Sequence, residues 1–426
     1  MLRSGQIIAL AVLSLLAIGV VMVGSAGMGL SPVGGPGDAT GVAPMGLGAM
    51  LARVMLSRSA LYAGLALLAM GGASLLPMRL IARWASGLGG DRIGPIGLAL
   101  GVLALLLVLS SVYWPGVGGQ INGSHRWIAL ATPIGALSIQ PSEIAKWGLI
   151  GLLAWYGAVA ARRMERFWSG LAPALAGVGL VAGVVMREDL GTAVLIGAVG
   201  AVVLIGAGAR ARYFLGAAPL AAAAVIAAIV TSEYRMRRWT AFMDPMGDPQ
   251  GAGYHLIQSI RAVGGGDLFG RGLGLGISKF GYVPEDTTDF LFAIISEETG
   301  LAGAIVVVGL YLVILAAALS IVRRESVPML KLLGLGVMAT LGLQAAMNLV
   351  VVTGLAPTKG IALPLLSSGG TGWVLTAGSL GLLLAIDRAQ AVAERAAAQR
   401  IARENERARE IDGARAPARV AATVGQ

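Results

Sequence analysis

The feature that most constrains this chain is the return of long apolar stretches. Runs near or above ~18 residues recur, separated by short polar or basic stretches. A backbone in hydrocarbon must satisfy its own hydrogen bonds, so such stretches are read as helices. A closed barrel would need short alternating segments, and "ALGVLALLLVLSSVYW" does not alternate. Only 13% of the 426 residues are charged, against about 25% in soluble proteins. The fold class that follows is an all-α polytopic membrane protein.

Composition then removes whole classes of chemistry. Cysteine is absent, which excludes disulfides, thiolate nucleophiles, Fe–S clusters and cysteine-based zinc sites. Two histidines, His125 and His255, exclude a histidine-rich metal centre. The 64 glycines fit close helix packing, with discontinuous helices as the alternative. The formal charge of +10 comes from residues scattered between spans, without a nucleic-acid-binding module, so no nucleic-acid partner is expected.

Ten spans are read, near 7–27, 59–77, 95–113, 141–160, 168–186, 191–208, 212–230, 289–319, 330–352 and 371–387. The segment from 289 exceeds one hydrocarbon thickness, and tilt is the expected accommodation. Arg79, Arg83 and Arg92, then Arg162, Arg163 and Arg166, then Arg210 and Arg212, then Arg323, Arg324 and Lys331 fall on one side of this arrangement. The positive-inside rule makes that side cytoplasmic, with both termini inside. Residues 1–388 form the membrane domain. Residues 389–426 form a charged cytoplasmic tail, partly helical or disordered, that either solubilises or binds a partner.

A large outer loop, about 232–287, separates spans seven and eight and carries Arg235, Arg237, Arg238, Arg261, Arg271 and Lys279. Lipid headgroups or a polyanionic phosphate or pyrophosphate substrate would each account for basic residues there. "GGGDLFGRGLGLG" lacks the Lys and Ser/Thr of a phosphate loop and reads as a turn-rich surface or re-entrant segment.

Polar groups near hydrocarbon are costly and mark candidate sites. In "IQPSEIAKW", Pro141 suits a first helical turn, and Glu143 and Lys146 share a face and can pair, as a structural fix or as a substrate contact. In "MREDLGT", Asp189 either caps the following apolar run or serves the site. "HRWIAL" places Arg126 beside the interfacial Trp127. "GLAPTKGIALPLLSSGGTGWV" combines Pro357, Pro364 and Gly369–Gly370 with the lone cation Lys359, in backbone able to line a cavity and hold an anion. Asp289 begins span eight, with Glu297 roughly 12 Å further along at 1.5 Å per residue. Paired glycosidase carboxylates need roughly 5–9.5 Å, so Asp289 would act as a single base, with proton-coupled transport as the rival use.

The ordered blocks "RWIAL", "IQPSEIAK", "DLGT", "GYHLIQSIRAVGGGDLFGRGLGLG", "VPEDTTDFLFAIISEETG" and "PTKGIALPLLSSGGT" closely resemble the SEDS family of bacterial peptidoglycan polymerases over about residues 95–388. "PTKG" and the glycine-rich block after it resemble the cell-division branch (FtsW) more than the elongation branch (RodA). The resemblance implies ten spans and polymerisation of lipid II at the outer face of the cytoplasmic membrane, at the division septum, with release of undecaprenyl diphosphate. It implies a class B penicillin-binding transpeptidase and other divisome membrane proteins as partners. It maps the essential aspartate to Asp289, the acid and base of the fourth span to Glu143 and Lys146, the acid before "LGT" to Asp189, and a polar loop position to Lys359. Arg126, Arg261, Lys279, Glu285, Glu297 and Ser367 complete the candidate polar positions. No cofactor is evident and no metal cage is visible, although a Mg or Mn ion bridging the diphosphate suits this chemistry. Two stretches depart from the family, "PEDTTDF" at Asp286 and Thr287 and "SSGGTG" from Ser367 to Gly372. Lipid II translocation and a non-catalytic division scaffold are the competing functions.

Overall fold

The computed structural model describes residues 2–27, 57–87, 93–114, 118–121, 124–132, 135–279, 287–367 and 370–424. Thirteen α-helices are described. They are α1 (Ser4–Gly27), α2 (Arg58–Ser74), α3 (Met78–Gly87), α4 (Ile93–Ser110), α5 (Pro141–Val159), α6 (Ala172–Glu188), α7 (Leu190–Gly206), α8 (Ala211–Val230), α9 (Glu233–Met243), α10 (Tyr254–Gly264), α11 (Leu291–Arg324), α12 (Pro328–Val352) and α13 (Thr371–Val424). A helix lies over each of the apolar segments read from the sequence. Among the described residues, six helices are long and apolar enough to cross a membrane by themselves. The pair α2 and α3, bent by 66°, would be a seventh, and α7 is apolar but shorter.

Local chemistry explains where several helices start and stop. Pro141 occupies the first turn of α5, where its missing N–H costs nothing, and Glu143 sits at the positive end of the helix dipole. Asp189 caps α7 by accepting from the backbone N–H of Thr192. α11 is 34 residues long and is interrupted at Gly300, with φ 68° and ψ −167°. The excess length expected to be taken up by tilt is therefore taken up by a break: residues 291–299 form a short leading helix ahead of the long one.

One sequence expectation needs correction. The fold is mostly helical rather than all-α. Residues between α4 and α5 form a three-stranded antiparallel meander, β1 (Gly118–Ile121), β2 (Ser124–Thr132) and β3 (Gly135–Ile139), with Ile128 opposite both Gly118 and Ile139. Asn122-Gly123 and Thr132-Pro133-Ile134-Gly135 are hairpin-turn signals hidden between two much stronger apolar runs. The stretch 232–287 contains α9 and α10.

The core forms where α12 packs on α5 and α7, α13 on α2, and α1 on α11. No residue of α8 is buried, and its main neighbours are α7 and α9. At one end of the bundle, Asp387 of α13 accepts from the Gly5 N–H at 3.4 Å and from Arg324 at 3.0 Å. This joins the first helix, α11 and the last helix. At the opposite end, Thr371 donates to the Ser138 carbonyl and Ser138 N–H donates to the Tyr62 hydroxyl, which fastens β3 across the bundle.

Candidate functional site

A cavity of ≈ 670 Å³ opens at the end of the bundle away from Asp387. Its wall is assembled from the start of α5, the α6–α7 junction, α9, the turn before α11, the far end of α12 and the 357–367 segment. Asp289, Arg126, Glu143, Asp189, Lys359 and Ser367 all line it.

Most of these groups are held by named partners. Nη1 of Arg126 lies 3.9 Å from Oδ2 of Asp189, and Arg126 also donates to the Glu188 carbonyl. Nε of Arg126 is buried without a hydrogen-bond partner among the described residues. The hydroxyl of Thr192 donates to Oδ2 of Asp189 at 2.9 Å. Lys146 lies behind the wall, buried, and donates to Glu143 at 2.7 Å and to the Gln344 carbonyl oxygen at 2.9 Å.

α12 sets the 357–367 segment against Asp289. Gln344 Nε2 donates to the Ala362 carbonyl at 3.1 Å. Nδ2 of Asn348 donates to the Asp289 carbonyl at 2.8 Å and to the Ile361 carbonyl at 2.7 Å. One amide thus ties the Asp289 turn to the Lys359 segment. Ser367 accepts from the Leu363 N–H and fixes the far side of that segment. Gly360 approaches Asp289 so closely that a side chain's first carbon would stand 3.1 Å from Oδ2. Burial lowers the Lys359 pKa below the usual lysine value, and the nearby Asp189 carboxylate opposes that shift.

Three other predicted residues lie away from the cavity wall. Arg261 sits on the exposed face of α10. Lys279 is buried and pairs with Glu298 at 3.0 Å. Glu297 is buried and accepts from the Ile277 and Ser278 N–H groups, both at 3.1 Å. Glu285, with its neighbour Asp286, lies outside the described residues.

Sequence reasoning left Arg235 and Arg238 undivided among the loop cations that lipid headgroups or a phosphate substrate would account for, and gave Arg187 no role; all three line the same cavity. Arg235 donates to the Met186 and Arg187 carbonyls, and Arg238 donates to the Thr358 carbonyl at 3.2 Å while lying over the Tyr234 ring. The signal was available: Tyr234, Arg235, Arg238 and Trp239 share one helical face of "EYRMRRWT", and all four meet the cavity. Arg237 points the other way and pairs with Glu233.

The helices and the cavity define a multi-pass membrane protein with a polar, cation-rich chamber at one end. The FtsW/RodA/SpoVE family, described as "Cell cycle protein", matches residues 45–392, and the chain belongs to that family. It is 39% identical over 383 residues to the "Probable peptidoglycan glycosyltransferase FtsW" of Thioalkalivibrio sulfidiphilus (strain HL-EbGR7), covering 89% of this chain and 88% of that one. A relative with the same name from Geobacter sp. (strain M18) is 37% identical, with 77% and 85% covered. Among solved structures, one described as "Structural coordination of polymerization and crosslinking by a peptidoglycan synthase complex" shares 27% identity and a TM-score of 0.65, covering 90% of this chain and 97% of that one. The Thermus thermophilus rod shape determining protein RodA has a TM-score of 0.55 at 24% identity, covering 90% and 96%, which is a likeness of fold.

Proposed function

We propose that this protein is a peptidoglycan glycosyltransferase that polymerises lipid II at the outer face of the cytoplasmic membrane during septal wall synthesis. The observation that carries the reading is the placement of Asp289 in the same cavity as Arg126, Arg187, Arg235, Arg238 and Lys359. In this reading ten helices cross the membrane, both termini are cytoplasmic, and residues 389–426 form a charged tail beyond the membrane domain.

The chemistry follows from that placement. Asp289 takes the proton from an acceptor sugar hydroxyl. The hydroxyl oxygen bonds to the anomeric carbon of the donor as that carbon's bond to the diphosphate breaks. Undecaprenyl diphosphate leaves with its added negative charge. The cavity cations stabilise that charge, with Lys359 next to Gly360, which itself closely approaches Asp289. Glu143, Lys146 and Asp189 hold the walls. Among the described residues no group of three or more acidic or histidine side chains could hold a metal ion. A Mg or Mn ion, if used, would supply charge neutralisation at the substrate diphosphate. The synthase-complex structure, whose description joins polymerization to crosslinking, supports a class B penicillin-binding transpeptidase as partner; other divisome membrane proteins are further partners in this proposal.

The test is glycan synthesis from lipid II by Asp289→Asn and Asp289→Ala proteins purified with the transpeptidase. Both are expected to lose at least a hundredfold in rate while remaining folded. Near-normal glycan output would end the catalytic assignment. Lipid II flipping without polymer by the unaltered protein would favour translocation. Normal division in cells carrying only Asp289→Ala would favour a scaffold.

A further inference from the structure

A second buried polar cluster lies outside the cavity, at the far end of the short helix that begins beside Asp289. Glu298 is its centre. Both carboxylate oxygens accept from the Ser25 hydroxyl at 2.9 Å, one accepts from Lys279 at 3.0 Å, and the other accepts from the Gly274 N–H at 2.9 Å. Lys279 also donates to the Gly274 carbonyl at 2.6 Å and to Ser25 at 3.1 Å. The Lys279 and Glu298 side chains are 1% and 0% exposed. A fully buried ion pair is an expensive way to stabilise a fold, and what it provides is a fixed geometry.

The backbone around this cluster is fixed as well. The break at Gly300 leaves carbonyls at the end of one helix and N–H groups at the start of the next. A distant loop supplies both sets of partners. Arg271 and Gly272 N–H groups donate to the Glu297 and Glu298 carbonyls, both at 3.0 Å. The Leu301 and Ala302 N–H groups donate to the Asp267 and Leu268 carbonyls at 2.9 and 3.1 Å. Residues 291–299 are therefore clamped at their far end while Asp289 stands just ahead of their near end. Lys279 anchors the chain on the other side of Asp289. Both chain directions leading to Asp289 thus start from one ion pair. Ser25, which completes it, lies on α1, outside the matched residues 45–392.

We propose that Lys279, Glu298 and Ser25 are positioning residues for Asp289, and that α1 takes part in the reaction geometry through Ser25. This rests on the assignment of Asp289 as the catalytic base. The cluster touches no reacting atom, so its role is read in turnover rather than in substrate affinity.

The experiment uses full-length protein with its transpeptidase partner and measures lipid II polymerisation and thermal unfolding. Ser25→Ala is the mild variant, expected to keep its unfolding temperature within a few degrees and to lose about threefold in kcat with KM unchanged. Lys279→Met/Glu298→Met replaces the pair by apolar side chains, and about a tenfold loss of kcat with KM within twofold is expected. Unaltered kcat in folded samples of both variants would overturn the proposal, as would a loss that appears in KM or that follows only the amount of folded protein. If the double variant does not fold, Ser25→Ala alone decides. An Asp289→Asn control separates the two ideas: an active control sinks the catalytic assignment, whereas an inactive control with unimpaired cluster variants sinks this inference alone.

Discussion

Lys146→Met removes one charge from a buried pair and leaves the other in place. Lys146 is 1% exposed, Glu143 is 12% exposed, and their atoms lie 2.7 Å apart. Without the ammonium, the Glu143 carboxylate keeps its desolvation cost and loses its partner. Breaking a buried pair costs about 3–5 kcal/mol. Glu143 also borders the cavity, where water reaches it, so the lower end of that range applies: about 3 kcal/mol, or roughly a hundredfold in the folding equilibrium. Neutralising both partners removes the orphaned charge, so Lys146→Met/Glu143→Gln is expected to recover at least half of the loss. The assay is reversible unfolding in a defined detergent for the two single variants and the double variant, read as a double-mutant cycle. A loss below about 1 kcal/mol for Lys146→Met, or a cycle with no coupling, would refute the claim that the pair acts as one unit.

Two further outcomes follow from backbone and charge. Gly300→Ala places a side chain at φ 68°, with its first carbon 2.3 Å from the Gly270 nitrogen. The left-handed conformation alone costs about 1–3 kcal/mol, and the clash adds to it. A clear drop in thermal stability is expected for Gly300→Ala, whereas Gly309→Ala, with nothing within 4 Å, should be nearly silent. The Lys359 pKa lies below 10.5, chiefly through burial. Its protonated form is thus disfavoured in the folded protein, and this penalty is present below the folded pKa and fades as pH rises through it. Anion binding needs the protonated form, so affinity for a lipid diphosphate should fall as pH rises through a value below 10.5. Lys359→Arg should move that fall to higher pH; an unmoved profile would separate Lys359 from the anion.

Much of the frame was legible because hydrocarbon leaves a chain few choices. Long apolar runs had to be helices, and Pro141, Glu143 and Asp189 announced the starts of two of them. The Glu143–Lys146 pair was legible from its spacing of three. The meander was not, because its short strands compete poorly with neighbouring apolar runs for attention. The break at Gly300 was hidden for a different reason: apolar character continues on both sides, and the loop that caps the break lies some thirty residues earlier. The roles of Gln344 and Asn348 were invisible in sequence, since amides on a buried helix face announce no target. Arg235 and Arg238 could have been separated from Arg237 by helical phase, had the stretch after α8 been read as a helix.

The order in which the chain is made differs from the order in which it packs. α1 is synthesised before the other described helices, yet the polar groups that hold its two ends come late. Gly5 waits for Asp387, 382 residues on, and Ser25 waits for Glu298, 273 residues on. Closing such distant contacts is the slow part of assembling a chain. During biosynthesis α1 must therefore remain beside the insertion machinery or in lipid without these partners until α11 and α13 arrive. A chain stopped before Asp387 would retain most of its helices and still lack the contact that closes the bundle.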